Sequence, residues 1–190
     1  MVQLDTSWLQ HVQKPARYTG GEYNSIVKDH STVDVTMALA FPDVYEVAMS
    51  HLGIKILYGL INRREDAAAE RVFAPWHDME EEMRKRNIPL FSLETRTPIK
   101  DFDVLAFTLQ YEMSFTNILN MLGLAGIPMY AKDRDMDFPL LVCGGPCAFN
   151  VEPIADFFDI VSLGESEEWG DEFVDLYKAE KAKGFPDGKE

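Results

Sequence analysis

Two cysteines, Cys143 and Cys147, stand four positions apart with Asn150 three positions further on, a spacing close to that of an iron–sulfur ligand set. A cluster that leaves one iron open to a substrate needs three thiolates, and Asn150 stands where the third would be. The two thiols therefore read as small, soft, buried side chains at a strand end. Asp43-Val44-Tyr45 follows an apolar run, and Tyr45 carries a phenol that is a poor metal ligand while neutral and ionises near pH 10 in water. His51, eight residues past Asp43, could ligate a metal, yet it falls within a helical stretch or at its break and reads as structural. Gly144-Gly145-Pro146 suits either a tight turn or the close approach of backbone to a flat ligand. Gly164-Glu165-Ser166-Glu167 suits either a ligand loop or a helix start with acidic groups at the positive end of the dipole.

The elements that must position these residues alternate strand with helix. Val33 to Phe41 is a β-branched and apolar run ended by Pro42, and a helical stretch follows to about Asn62, with Ser50 and Gly53 able to divide it. A short strand at Glu70 to Phe73, a polar helix from His77 to Arg86 and a strand at Ile88 to Leu93 come next. Asp103 to Leu109 is another apolar strand, followed by a loop with Gln110, Tyr111 and Glu112 and a helix from Ser114 to Leu124 ended by Gly126. Pro139 to Cys143 and Asp159 to Leu163 are the last two of six strands, separated by a short helix at Ile154 to Phe158, and a helix runs from Glu165 to about Lys183.

Strands that read as continuous apolar runs between helices predict an α/β fold with a doubly wound, mostly parallel sheet, flavodoxin-like or Rossmann-like. The expected organisation is an N-terminal arm over residues 1–32 with a short helix near Ser7 to Gln13, the α/β domain over 33–183, and a loose tail over 184–190. In an open parallel sheet ligands bind beyond the carboxyl ends of the strands, so the loops after the strands are where a site is expected.

Composition narrows the function. A formal charge of −14, with the basic residues scattered among acids, repels a phosphate backbone and argues against nucleic-acid binding by this chain. The absence of a long apolar run argues against a membrane span, and two closely spaced cysteines argue against a secreted disulfide framework, so a cytoplasmic setting is expected. The strands are not followed by the glycine patterns of dinucleotide or triphosphate loops, nor by a serine-nucleophile elbow or a zinc-protease helix. A single Asp43 after the first strand lacks the acidic pair of a phosphoacceptor domain.

Gly144-Gly145-Pro146, Glu152-Pro153 and Asp159 through Glu167 together resemble the closing half of the cobalamin-binding domain found ahead of many radical S-adenosylmethionine (SAM) enzymes, with Ser166 in place of the usual glycine. Further stretches are similar to one subgroup of largely uncharacterised radical SAM proteins: Lys14 to Glu22, Phe41 to Glu46, Ser50 to Gly53, Glu70 to Trp76 and Leu122 to Pro128. The resemblance implies cobalamin held without a histidine ligand, since Tyr45 stands where such domains carry the histidine and Ala48 where they carry glycine. It implies Asp43, Tyr45, Thr108, Tyr111, Gly144, Gly145, Gly164 and Glu165 as cofactor-binding residues, with Thr108-Leu109-Gln110 approximating the Ser-x-Leu that lines the pocket for the nucleotide tail. It also implies a downstream radical SAM domain as partner, with SAM and a [4Fe–4S] cluster held there rather than here, and no catalysis by this chain alone. The alternative left open is a domain that kept the fold without the cofactor and serves to dock or position substrate.

Overall fold

The computed structural model describes residues 7–185; the first six residues of the expected arm and most of the expected tail lie outside the described residues. Five parallel strands form one sheet: β1 (Val35–Phe41), β2 (Ala67–Phe73), β3 (Val104–Thr108), β4 (Leu140–Gly144) and β5 (Ile160–Val161), in the order β2-β1-β3-β4-β5. This is the flavodoxin-like order of a doubly wound α/β fold. The helices are α1 (Tyr45–Ser50), α2 (Leu52–Arg63), α3 (His77–Arg86), α4 (Phe115–Ala125) and α5 (Ser166–Ala182).

Both faces of the sheet are covered, as parallel pairing requires. Val35, Met37, Leu39 and Phe41 alternate onto one face and pack with Ile54, Tyr58 and Ile61 of α2 and Phe173 and Val174 of α5. Ala38 and Ala40 point to the other face, where Met79 and Met83 of α3 and Ile118, Met121 and Leu122 of α4 complete a second core with Trp8, Leu9 and Val12 of the arm. None of the helices of the described residues is long and apolar enough to cross a membrane.

The long helical stretch after β1 is divided, as Ser50 and Gly53 suggest: His51 is extended and ends α1 while starting α2. The second strand begins earlier than its β-branched residues suggest, at Ala67. Alanine has little strand preference of its own, but Ala67 and Ala69 share the face towards α2 and let it lie close, and Asn62 of α2 bonds both the N–H and the C=O of Ala69 at 3.1 and 2.9 Å.

Ile88 to Leu93 is not a strand of the sheet, which therefore has five strands rather than six. Its backbone pairing with β2 is one bond among the described residues, Leu93 N–H to Arg71 C=O at 2.7 Å, and an isolated bridge joins Phe91 to Pro98. Pro89 has no N–H to offer a ladder, and Leu90 and Phe91 are buried by packing over the edge of β2 instead. The last strand pairs over two residues, although Asp159 and Ser162 extend its backbone bonding to Leu141 and Cys143.

The edge strand β2 is sealed by charge. Glu70 and Arg71 are buried, and Glu70 accepts hydrogen bonds from Ser92, from the Thr95 N–H and hydroxyl, and pairs with His30 at 2.7 Å. Arg71 pairs with buried Glu94 at 2.6 Å and lies over the Tyr58 ring. These partners come from the arm and the loop after α3, so the network ties both to the sheet and leaves no exposed edge there. Burial alone would raise the Glu70 carboxyl, but the bonds from His30, Ser92 and Thr95 outweigh it and hold it below the ordinary glutamate value. A carboxyl lowered in the folded state stabilises the fold above its unfolded value and ceases to as pH falls through its folded one. Urea unfolding should therefore show wild-type stability declining as pH drops below about 4.5, while Glu70→Gln, destabilised by about 2 kcal/mol at neutral pH, shows a shallower decline.

Candidate functional site

At the carboxyl end of the sheet, the chain leaving β1 turns to the face of α2 and the chain leaving β3 turns to the face of α4. The two connections diverge, and a crevice opens between them. It continues inward as a cavity of about 430 Å³ between the sheet and the pair α2 and α5. Its floor is Met37, Leu39, Ala106 and Val142 from three strands, and its sides are Leu57 of α2 and Trp169 and Gly170 of α5. The lining is mostly apolar and the volume is in the range of small-molecule sites. Trp169 stacks on Phe173 at 4.6 Å, which fixes its indole as one rigid wall.

Five of the eight residues expected to bind a cofactor meet at this cavity: Thr108 from the end of β3, Gly144 and Gly145 from the end of β4, and Gly164 and Glu165 at the start of α5. Gly145 has φ of +105°, and a Cβ there would lie 3.0 Å from the Leu109 carbonyl oxygen and 3.2 Å from the Gln110 amide nitrogen. The close approach is made by two backbone bonds, Leu109 N–H to Gly144 C=O at 2.7 Å and Cys147 N–H to Leu109 C=O at 3.0 Å. The glycine pair thus serves both of its possible uses, a tight turn and a cavity wall. Glu165 takes the N-cap position of α5, with no side-chain capping bond among the described residues, and stays exposed at the mouth.

Three expected residues lie elsewhere. The Asp43 carboxylate accepts the N–H of Val44, and its carbonyl accepts the N–H of Ala74. Tyr45 turns towards the β2 edge, where its hydroxyl donates to Glu22 at 3.3 Å and its ring meets Phe73 edge-on. Burial and the nearby Glu22 carboxylate push its phenol above the ordinary tyrosine range. Tyr111 is about half exposed on the loop after β3, outside the cavity lining.

Among the polar residues with no cofactor role from the sequence that line the cavity are His51 and Gln110. His51 stands on its rim, with its ring tilted against Phe41 at 5.1 Å and a bond of 3.0 Å to the Gln110 side chain. Gln110 in turn bonds the Thr108 hydroxyl at 2.5 Å. Residues 51 and 110 belong to loops 59 positions apart, so no local pattern pairs them; the sequence signal was His51 beside Gly53 at a helix break. The Cys143 side chain packs into the core on the α3 and α4 face of the sheet, away from the cavity floor, and burial pushes its thiol up to about 12, which leaves it inert as a nucleophile. Among the described residues no group of three His, Cys, Asp or Glu side chains is placed to hold a metal ion.

Comparison with known families bears on a chain with this sheet and this cavity. The family model for the N-terminal region of radical SAM proteins matches residues 53–189. The chain belongs to that family. The matched span starts inside α2 and includes β2 to α5, so it takes in most of the cavity but not β1 or His51. An uncharacterized protein of Methanocaldococcus jannaschii is 28% identical over 134 residues, which is 69% of this chain and 24% of that protein. The chain thus spans about a quarter of the length of this relative.

The close packing at Gly145 makes a stability test. Gly145→Ala should cost about 2 kcal/mol in urea unfolding, because the new methyl meets backbone and the residue stays at positive φ. Gly123→Ala on the exposed face of α4, where a Cβ meets nothing within 4 Å, should stabilise by about 0.5 kcal/mol.

Proposed function

We propose that this domain binds cobalamin at the crevice between β1 and β3, with the nucleotide tail in the cavity and the corrin ring outside it, and presents it to a radical SAM domain of the same polypeptide. The observation that carries the reading is the cavity itself: a narrow, largely apolar slot that opens at the topological switch point beside Gly144-Gly145 and Gly164. Its volume of about 430 Å³ suits a nucleotide-sized group and is too small for a tetrapyrrole macrocycle with its tail, so the ring would rest on the strand-end loops. Those loops and the start of α2 carry exposed apolar side chains, Leu52 at the head of α2, Met113 after β3, Phe149 after β4 and Leu163 after β5. Such a collection suits a flat apolar group covered by a second domain better than it suits water.

The residues present fit cobalamin held without a protein ligand to cobalt. His51 uses both ring nitrogens within the protein, and the Tyr45 hydroxyl is engaged by Glu22 away from the cavity. Thr108, Gly144, Gly145 and Trp169 would hold the tail. The bound cofactor would supply an organometallic or radical centre for the parent enzyme, and the domain's part is binding, orientation and exclusion of water. The reaction of the whole protein belongs to the domain that holds SAM and the cluster.

A second reading, a domain that docks its partner without a cofactor, is favoured by one observation: Asp43, Tyr45 and Tyr111 are not brought to the cavity. One titration separates the two. Full-length protein titrated with hydroxocobalamin and methylcobalamin should bind saturably, with the visible spectrum of a displaced lower base. Absence of binding would overturn the cofactor reading and leave docking.

A further inference from the structure

The walls of the cavity differ in how they are held. α2 is pinned at its head by the bond between His51 and Gln110 at 3.0 Å and at its tail by the bonds of Asn62 with Ala69. The β4 loop is pinned by its two backbone bonds with Leu109. Among the described residues, α5 is pinned from Asp171 onwards. Arg64 pairs with Asp171 and Asp175, and the Tyr177 hydroxyl donates to the Asp103 carbonyl at 3.3 Å. Lys178 pairs with Asp34 at 2.6 Å and Asp66 at 3.0 Å, and Lys181 with Asp103 at 2.6 Å. Together with buried Phe173 and Val174, these ties hold the second half of the helix to the amino end of the sheet.

The segment 163–170 lies between the last backbone bond of β5, Ser162 N–H to Cys143 C=O at 2.7 Å, and that first ion pair at Asp171. Among the described residues no hydrogen bond or ion pair ties it to another element. Gly164 has φ of +104°, and a Cβ there would meet nothing within 4 Å, so the glycine serves a backbone turn and not a packing contact. Glu165 starts the helix without a side-chain capping bond, and such bonds are what secure a first turn. A Cβ at Gly170 would lie 3.6 Å from Ile61 Cδ1, an ordinary contact. Packing therefore does not require glycine there, and glycine weakens a helix interior. Yet this segment is a side of the cavity.

We infer that residues 163–170 form a flap over the cavity, hinged at Gly164 and Gly170, which opens for a ligand to enter or leave while the rest of α5 stays in place. The stack of Trp169 on Phe173 at 4.6 Å, which fixes the wall when the flap is closed, is the contact that opening breaks. Bending at Gly170 also breaks the helix bonds from the amides of residues 170–174 to the carbonyls of residues 166–170, and leaves those further along intact. That the ligand is cobalamin rests on the reading proposed above; the flap does not.

Hydrogen exchange of full-length protein, read by mass spectrometry, tests the motion. The amides of residues 170–174 should exchange about tenfold faster than those of residues 176–180, after correction for intrinsic rates. Gly170→Ala should slow them about fivefold, the helix preference of alanine over glycine. Stopped-flow mixing with hydroxocobalamin tests the gate. Gly170→Ala should slow association and dissociation alike, by about fivefold, and leave the dissociation constant unchanged, because the flap is closed both with and without ligand. Gly123→Ala, the same change on the exposed face of α4, should alter none of these quantities. Weaker binding by Gly170→Ala at an unchanged association rate would mean that the glycine leaves room for the ligand, and would overturn the flap. Uniform protection along α5 would overturn it as well. If the wild-type protein does not bind the corrinoid, the cobalamin reading fails and exchange alone decides: faster exchange at residues 170–174 that Gly170→Ala slows supports the flap, and uniform protection overturns it.

Discussion

The opposite turns taken by the chain after β1 and after β3 are the constraint on which the site depends. Parallel strands need crossovers, and the order β2-β1-β3-β4-β5 sends the crossover after β1 to one face and that after β3 to the other. No loop can then close the space between their ends. The crevice is a consequence of topology before any side chain is chosen. Side chains decide how deep it goes: Ala106 on β3 and Gly170 on α5 are small where larger residues would fill the layer between sheet and helices, and the cavity extends between α2 and α5 as a result.

Contacts from the rest of the molecule shape that crevice. Gly145 lets the β4 loop close onto Leu109, so the ends of β3 and β4 are tied together by backbone bonds. Gly53 lets the His51 ring fold back over the start of α2, which brings the β1 loop into contact with Gln110. At the far edge, buried Glu70, Arg71 and Glu94 with half-buried His30 bind arm and loop to β2, away from the crevice. Tyr45 belongs to that edge: its ring and hydroxyl are used in packing the arm. Tyr45 is held there by packing and is not presented to the cleft.

The sheet was legible where strand residues are apolar and β-branched, as in β1, β3 and β4, because both faces are buried and the run is unbroken. It was not legible at Ala67 to Ala69, where strand conformation follows from the closeness of α2 and the capping amide of Asn62. It was misread at Ile88 to Leu93, because an apolar run reports burial and not pairing. The place of the cavity followed from the fold class alone, and Thr108, Gly144, Gly145, Gly164 and Glu165 line it. The contact of His51 with Gln110 did not follow, since it spans loops far apart in sequence and depends on space left by two glycines. The family assignment supports the radical SAM kinship; the cofactor remains a matter of the cavity's chemistry.

The central claim is that the slot between sheet and helices receives part of the ligand, and plugging it tests this most directly. Ala106→Leu extends an apolar side chain from the floor of the cavity into its empty volume, where it has room. Cobalamin titration of full-length Ala106→Leu, with thermal unfolding in parallel, should give an unchanged or higher unfolding midpoint together with loss of saturable cobalamin binding. A variant as stable as wild type that still binds cobalamin with the same affinity and spectrum would contradict the account.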